Sequence, residues 1–196
     1  MKKVLSTALI LGALYTQANA LEVKPYAGVD FGFNLVDGKE LMGEDGKTFN
    51  VGINAGSKFY FNDSVFAGLE AYYRFLDIYD EKSQKDEDGD IVKLTISNPW
   101  GAKVYAGYQF NSDISAFLSY GLNRYEAELK GTVYGEFAKE ERERFAQSFG
   151  FGVNYNIMPN LEARFTYDYV MLEWGKAWED TKSNSNVFNL GVNYLF

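Results

Sequence analysis

The sequence predicts an all-β fold, an eight-stranded antiparallel up-and-down transmembrane β-barrel. Three observations predict it: apolar and polar side chains alternate along eight segments, tight turns alternate with long polar links, and an exportable leader precedes the first segment. Lys2 and Lys3, the apolar run Val4 to Leu14 and the small residues Ala18-Asn19-Ala20 form that leader. Cleavage after Ala20 would leave Leu21 as the new N-terminus and residues 21–196 as one barrel domain. The apolar run falls short of the roughly 20 residues that a spanning helix needs, and no later run is longer.

From Val23 onward the period is two, which sends successive side chains to opposite faces of a strand. The first segment sets Ala27, Val29, Phe31, Phe33 and Leu35 against Tyr26, Gly28, Asp30, Gly32 and Asn34. The second sets Phe49, Val51, Ile53, Ala55, Phe59 and Phe61 against Asn50, Gly52, Asn54, Gly56, Lys58 and Tyr60. Val65 to Phe75 and Trp100 to Phe110 keep the period without a slip, and Ile114 to Tyr125, Phe145 to Tyr155, Leu161 to Met171 and Phe188 to Phe196 complete the set. About 11 residues at about 3.3 Å each, tilted near 45°, reach roughly 25 Å, the height of an outer-membrane apolar band.

Asn62-Asp63-Ser64, Asn111-Ser112-Asp113 and Asn156 to Asn160 read as tight turns. The links Val36 to Thr48, Ile78 to Pro99, Glu126 to Arg144 and Leu172 to Asn186 are longer and polar. Such asymmetry matches short periplasmic turns and longer outer loops. A weak repeat, Gly107-Tyr108-Gln109-Phe110, Gly152-Val153-Asn154-Tyr155 and Gly191-Val192-Asn193-Tyr194, marks the same rim in three strands.

Alternation does not say which face is inside, because a soluble lipocalin-like barrel shows the same period with its apolar face inward. The polar face decides for lipid outside. It is rich in Gly, Asn and Ser and carries Asp30, Glu70, Glu162 and Asp168 against Lys58, Arg74, Lys103 and Arg164, four of each sign, with Lys24 near a rim. Charges enclosed in a narrow bore must pair. The aromatics Phe49, Phe61, Trp100, Phe110, Phe145 and Tyr155 stand near strand ends, as an interface girdle would, and the sequence stops within a strand at Tyr194-Leu195-Phe196.

Composition removes several functions. After the leader, 17 basic face 27 acidic residues, a net of −10, which opposes nucleic-acid binding. No histidine is present to activate a serine or a water, and no serine or carboxylate lies in a nucleophile motif. No cofactor is expected. With no cysteine there is no disulfide and no acylated anchor. Asp86-Glu87-Asp88-Gly89-Asp90 lacks the alternate ligand spacing of a calcium loop and reads as a solvated acidic segment, so no metal site is expected. The mixed run Lys139 to Arg144 could dock a partner or lipopolysaccharide phosphates, or only solvate a loop.

Leader, eight alternating strands, alternating turns and loops and the terminal aromatic together resemble the small OmpA/OmpX-type outer-membrane barrels, also grouped as the outer membrane protein beta-barrel domain or porin family. The likeness covers the whole chain after the leader. It implies a cell outer-membrane location reached through the periplasm, and a last strand read by the outer-membrane assembly machinery through Phe188, Leu190, Val192, Tyr194 and Phe196. The sequence ends at the barrel, so the peptidoglycan-binding domain of OmpA is not implied. Eight strands leave a bore that side chains fill. The expected role is therefore that of a monomeric, non-enzymatic barrel in lipid and lipopolysaccharide whose long loops meet a surface ligand. A narrow channel and a soluble ligand-binding barrel are the alternatives.

Overall fold

The computed structural model describes residues 22–36, 46–75, 83–85, 91–133, 136–173 and 182–196. The leader, with Ala18, Ala20 and Leu21, and the acidic segment Asp86 to Asp90 lie outside the described residues. Among the described residues nine strands run β1 (Glu22–Val36), β2 (Gly46–Tyr60), β3 (Val65–Arg74), β4 (Ser83–Lys85), β5 (Ile91–Gln109), β6 (Ile114–Val133), β7 (Glu136–Met158), β8 (Leu161–Glu173) and β9 (Lys182–Leu195). Eight of them close a ring. Each pairs antiparallel with its neighbour in sequence, β3 with β5 across the short β4, and β9 returns to β1 with Val29 opposite Val192.

The alternation sorts the side chains as a bilayer requires. Phe31, Ile53, Leu69, Val104, Leu118, Phe151 and Leu190 are exposed on the outer wall, while Lys58, Glu70, Arg74, Lys103, Glu162, Arg164 and Asp168 are buried within. The apolar face is outside, which removes the soluble, lipocalin-like alternative. Aromatic pairs stand at both rims: Tyr73 with Phe75 and Trp100 with Phe145 at the long-loop end, Tyr108 with Phe110 and Tyr194 with Phe196 at the other. From Trp100 to Phe110 is ten residues of tilted strand, about 23 Å, close to an apolar band of the outer membrane.

Two of the tight turns use one device. Asn62 Oδ1 accepts from the backbone N–H of Ser64 and Val65, and Asn111 Oδ1 accepts from those of Asp113 and Ile114. The side chain stands in for a backbone turn acceptor and fixes hairpin register.

At the other end the structure departs from the sequence reading. Glu126 to Arg144 is not a loop but the upper part of a hairpin, paired from Glu126 opposite Glu143 to Val133 opposite Glu136. β5 likewise begins at Ile91, inside the expected link, and carries β4 on its edge. Charged residues stand at consecutive positions from Lys139 to Arg144. Above the bilayer no face needs to be apolar, so the period that reveals a strand in lipid disappears there while backbone pairing continues. Within β5 the register shifts between Ser97 and Trp100, where Pro99 has no N–H to give the ladder.

Candidate functional site

Two regions stand apart from plain barrel wall: the ionic bore and the sheet above the rim. In the bore three cross-bore ion pairs end on β8, whose polar face presents Glu162, Arg164, Thr166 and Asp168 in turn. Lys58 on β2 pairs with Glu162, Glu70 on β3 with Arg164, and Lys103 on β5 with Asp168. None of these three strands neighbours β8 in the sheet. The pairs therefore brace opposite walls.

Lone pairs and protons left over are taken up nearby, as burial demands. Glu162 Oε1 accepts from Arg164 Nη2 at 3.3 Å and from Asn193 Nδ2 at 3.2 Å. Glu70 Oε2 accepts from Tyr26 OH at 2.8 Å, and Arg164 Nε donates to Asn154 Oδ1 at 3.0 Å. Asp30, only partly buried, accepts from Asn54 Nδ2 at 3.1 Å. Arg74 lies 4.6 Å from the centroid of the Tyr72 ring and lines, with Asp30, Glu70, Lys103 and Arg164, a cavity of about 20 Å³, room for about one water. All eight charges singled out in the sequence thus lie in the bore, and Asp30, Glu70, Arg74, Lys103 and Arg164 among them line the shared cavity. Lys24 sits at the rim, 3.2 Å from Glu22.

Sequence reasoning missed the apolar part of the lining: Phe66, Val170, Val187 and Leu195 are apolar yet buried on the inner face. Asn34, Asn50 and Asn54, which the alternation already placed on the polar face, form with Asn189 and Asn193 an amide wall on β1, β2 and β9. Glycines make room for it, and the Asn50 and Asn189 amides lie where a Cβ on Gly32 would be. Phe66 gave no signal, because its seat is a glycine on another strand, Gly107.

Closer to the tight turns than Asp30, Arg74, Lys103 and Asp168, the residues Tyr26, Phe66, Tyr105, Phe117 and Leu195 pack into a cluster with Tyr60 against it. Beneath that layer a bowl of about 570 Å³ opens at the turn end, lined by residues such as Lys24, Tyr60, Asn62, Asn111 and Asn156.

Above the rim, β3 stops pairing at Tyr73 opposite Trp100, and β8 stops at Met171 opposite Gln147. β5, β6 and β7 continue without them. The eight residues Glu126 to Val133 carry the ladder about 26 Å further along the strand. Among the described residues, β7 from Glu136 to Ala146 pairs on the β6 side alone. At the foot of this sheet Arg124 bonds Glu143, lies 3.0 Å from Glu126 and covers Trp100 at 5.9 Å. That guanidinium is already matched by two carboxylates.

The terminal residues Leu190, Val192, Tyr194 and Phe196 form one exposed row on β9. Phe188 continues it and stacks on Tyr167 at 5.1 Å. Phe196 N donates to Pro25 O at 2.9 Å, which ties the chain end into the β1 seam. Among the described residues no cluster of acidic side chains is arranged to hold a metal ion.

Known proteins fit this geometry. The chain is 24% identical over its whole length to outer membrane protein A of Escherichia coli O157:H7, and it spans 55% of that relative's length. Its fold is similar to that of Ail, the attachment invasion locus protein of Yersinia pestis, at a TM-score of 0.59 and 17% identity, covering 90% of this chain and 100% of Ail. Ail has also been solved with the heparin analogue sucrose octasulfate. Neisserial surface protein A matches at a TM-score of 0.51 and 17% identity, over 88% of this chain and 97% of that one. The model of the outer membrane protein beta-barrel domain matches residues 4–196. The chain belongs to that family of outer-membrane β-barrel proteins.

Proposed function

We propose that this barrel is a non-enzymatic outer-membrane scaffold that holds the β5–β7 sheet above the cell surface and, through the acidic excess of its long links, meets a cationic partner. The observation that carries the reading is the ladder of β5, β6 and β7, which continues past both neighbouring strands. A sheet edge paired on one side offers backbone donors and acceptors to an added strand. In the sequence the four long links, 36–48, 78–99, 126–144 and 172–186, hold 19 acidic and 11 basic residues, a net of −8, of which the β5, β6 and β7 stretches 91–99, 126–133 and 136–144 contribute 6 acidic and 5 basic. Such a field draws cationic surfaces and repels polyanions. The heparin analogue seen with Ail therefore does not transfer to this chain. Arg124, matched by Glu126 and Glu143, likewise gives little support to a phosphate site for lipopolysaccharide.

A void of about 20 Å³ and braced charges support a scaffold over a solute channel. The absence of histidine and the pairing of the inner carboxylates support a role without catalysis. The same reading includes removal of residues 1–20 after Ala20, a monomer in the membrane, and recognition of the β9 row from Phe188 to Phe196 by the assembly machinery.

The test uses protein refolded into neutral lipid vesicles, with Asp80, Glu81, Asp86, Glu87, Asp88 and Asp90 replaced by Asn or Gln. A lysine-rich peptide should bind the parent and lose most of its affinity for the neutralised form, while the barrel keeps its heat-modifiable gel mobility. Equal binding by both forms, or stronger binding of heparin than of the peptide, would sink the proposal.

A further inference from the structure

We propose that the seal against ion flow through this barrel is the ring layer of Tyr26, Phe66, Tyr105 and Phe117, closed by Leu195, and that the ion pairs of Arg164 and Lys58 packed against those rings hold them in place. The two aqueous volumes of the bore, the cavity of about 20 Å³ among the charges and the bowl of about 570 Å³ at the turn end, share no lining residue. The ring layer lies between them.

The layer is built into the wall. Each ring lies on a glycine of another strand: Tyr26 on Gly56, Phe66 on Gly107, Tyr105 on Gly68 and Phe117 on Gly152. A methyl group at any of the four would overlap the ring above it. Four matched seats on four strands let flat rings cross a bore that ordinary side chains from both walls would overfill. The rings also meet one another. Phe66 and Tyr105 have centroids 6.3 Å apart, Tyr105 and Phe117 5.0 Å apart, and Tyr105 OH donates to Tyr26 OH at 3.1 Å.

Charged groups pack against them. Arg164 stands 4.7 Å from the Tyr26 centroid, 5.5 Å from that of Phe117 and 5.8 Å from that of Tyr105, and Lys58 stands 5.7 Å from that of Phe66. Arg164 is held there by Glu70 and Glu162, and Lys58 by Glu162. The layers do different work. Paired charges can exchange partners and solvate a passing ion, so they make a poor barrier by themselves. An apolar constriction gives an ion nothing in place of its water.

Two measurements on the protein in lipid vesicles test this. The first is potassium flux. Phe66→Ala with Phe117→Ala should raise it about tenfold or more, whereas Lys103→Met with Asp168→Leu, which removes a pair not seated on the rings, should leave it near the parent value. A leak from the charge variant with a tight ring variant would overturn the assignment. The second measurement keeps every ring. The chain has no cysteine, so Thr166→Cys, lining the upper cavity, and Gln109→Cys, lining the bowl, each carry a single thiol. A charged thiol reagent applied at the turn end should label Gln109→Cys and leave Thr166→Cys unlabelled. Labelling of both at similar rates would show that the rings do not seal the bore.

Discussion

Replacing Lys58 by Met tests whether the inner charges act as pairs. The side chain of Lys58 is 1% exposed and that of Glu162 is 2% exposed, so neither charge has access to bulk water. Met keeps most of the Lys stem and its packing on Phe66 but strands Glu162. Breaking a buried pair costs about 3–5 kcal/mol. Glu162 retains donors in Arg164 at 3.3 Å and Asn193 at 3.2 Å, which sets the expectation at the low end, about 3 kcal/mol or roughly 150-fold in the folding equilibrium. Adding Glu162→Gln removes the stranded carboxylate and should recover more than half of that loss, since a neutral buried pair costs far less than one lone ion. Urea unfolding in lipid vesicles, followed by tryptophan fluorescence, measures both forms. The outer pair supplies the control: Glu143→Gln beside the part-exposed Arg124 should cost less than about 1 kcal/mol. A Lys58→Met loss as small as the control's, or a double variant weaker than the single, would refute the pairing argument.

Two further outcomes follow from the placement of the outer face. Leu118 is 72% exposed and stands four residues above Ile114, about 9 Å into the membrane, so Leu118→Arg should cost about 2–4 kcal/mol in vesicle unfolding. No cost there would mean that lipid does not cover this wall. Deleting Phe196, at the end of the exposed β9 row, should lower the amount assembled in the outer membrane without lowering the amount synthesised; unchanged assembly in a fractionation experiment would remove the terminal row as a signal.

How much of this was legible depends on where the solvent changes. Inside the bilayer one face must be apolar at every second residue, so β3 and the lower part of β5 announce themselves in the sequence, and so do the eight inner charges. Asn62 and Asn111 announce their turns because the side chain itself makes the turn. The choice of partner for each charge was not legible. Lys58 and Glu162 are 104 residues apart, and their meeting depends on closure of the ring and on register. Phe66 was illegible for a related reason: an apolar residue on the polar face makes sense only once Gly107 stands beside it on β5. The upper hairpin was hidden because water lies outside the membrane on either side of a strand and imposes no period on it.

The convergence of three cross-bore pairs on β8 raises the question of why the bore is ionic at all. Well-packed apolar residues can replace a buried ion pair without loss of stability. In a membrane barrel that replacement would make both faces of a strand apolar, and the period that distinguishes inside from outside would vanish. Register is weakly specified when the two faces are alike, because a slip of one residue then exchanges faces at little cost. With the present sequence such a slip of β8 would move Glu162, Arg164 and Asp168 into lipid, which costs several kcal/mol per charge near the midplane. Each pair also ties β8 to a strand that is not its sheet neighbour, so it forms only when the ring has closed in the correct register. On this argument the ion pairs select one barrel among near alternatives, and the proposed ring layer beside them would close its bore.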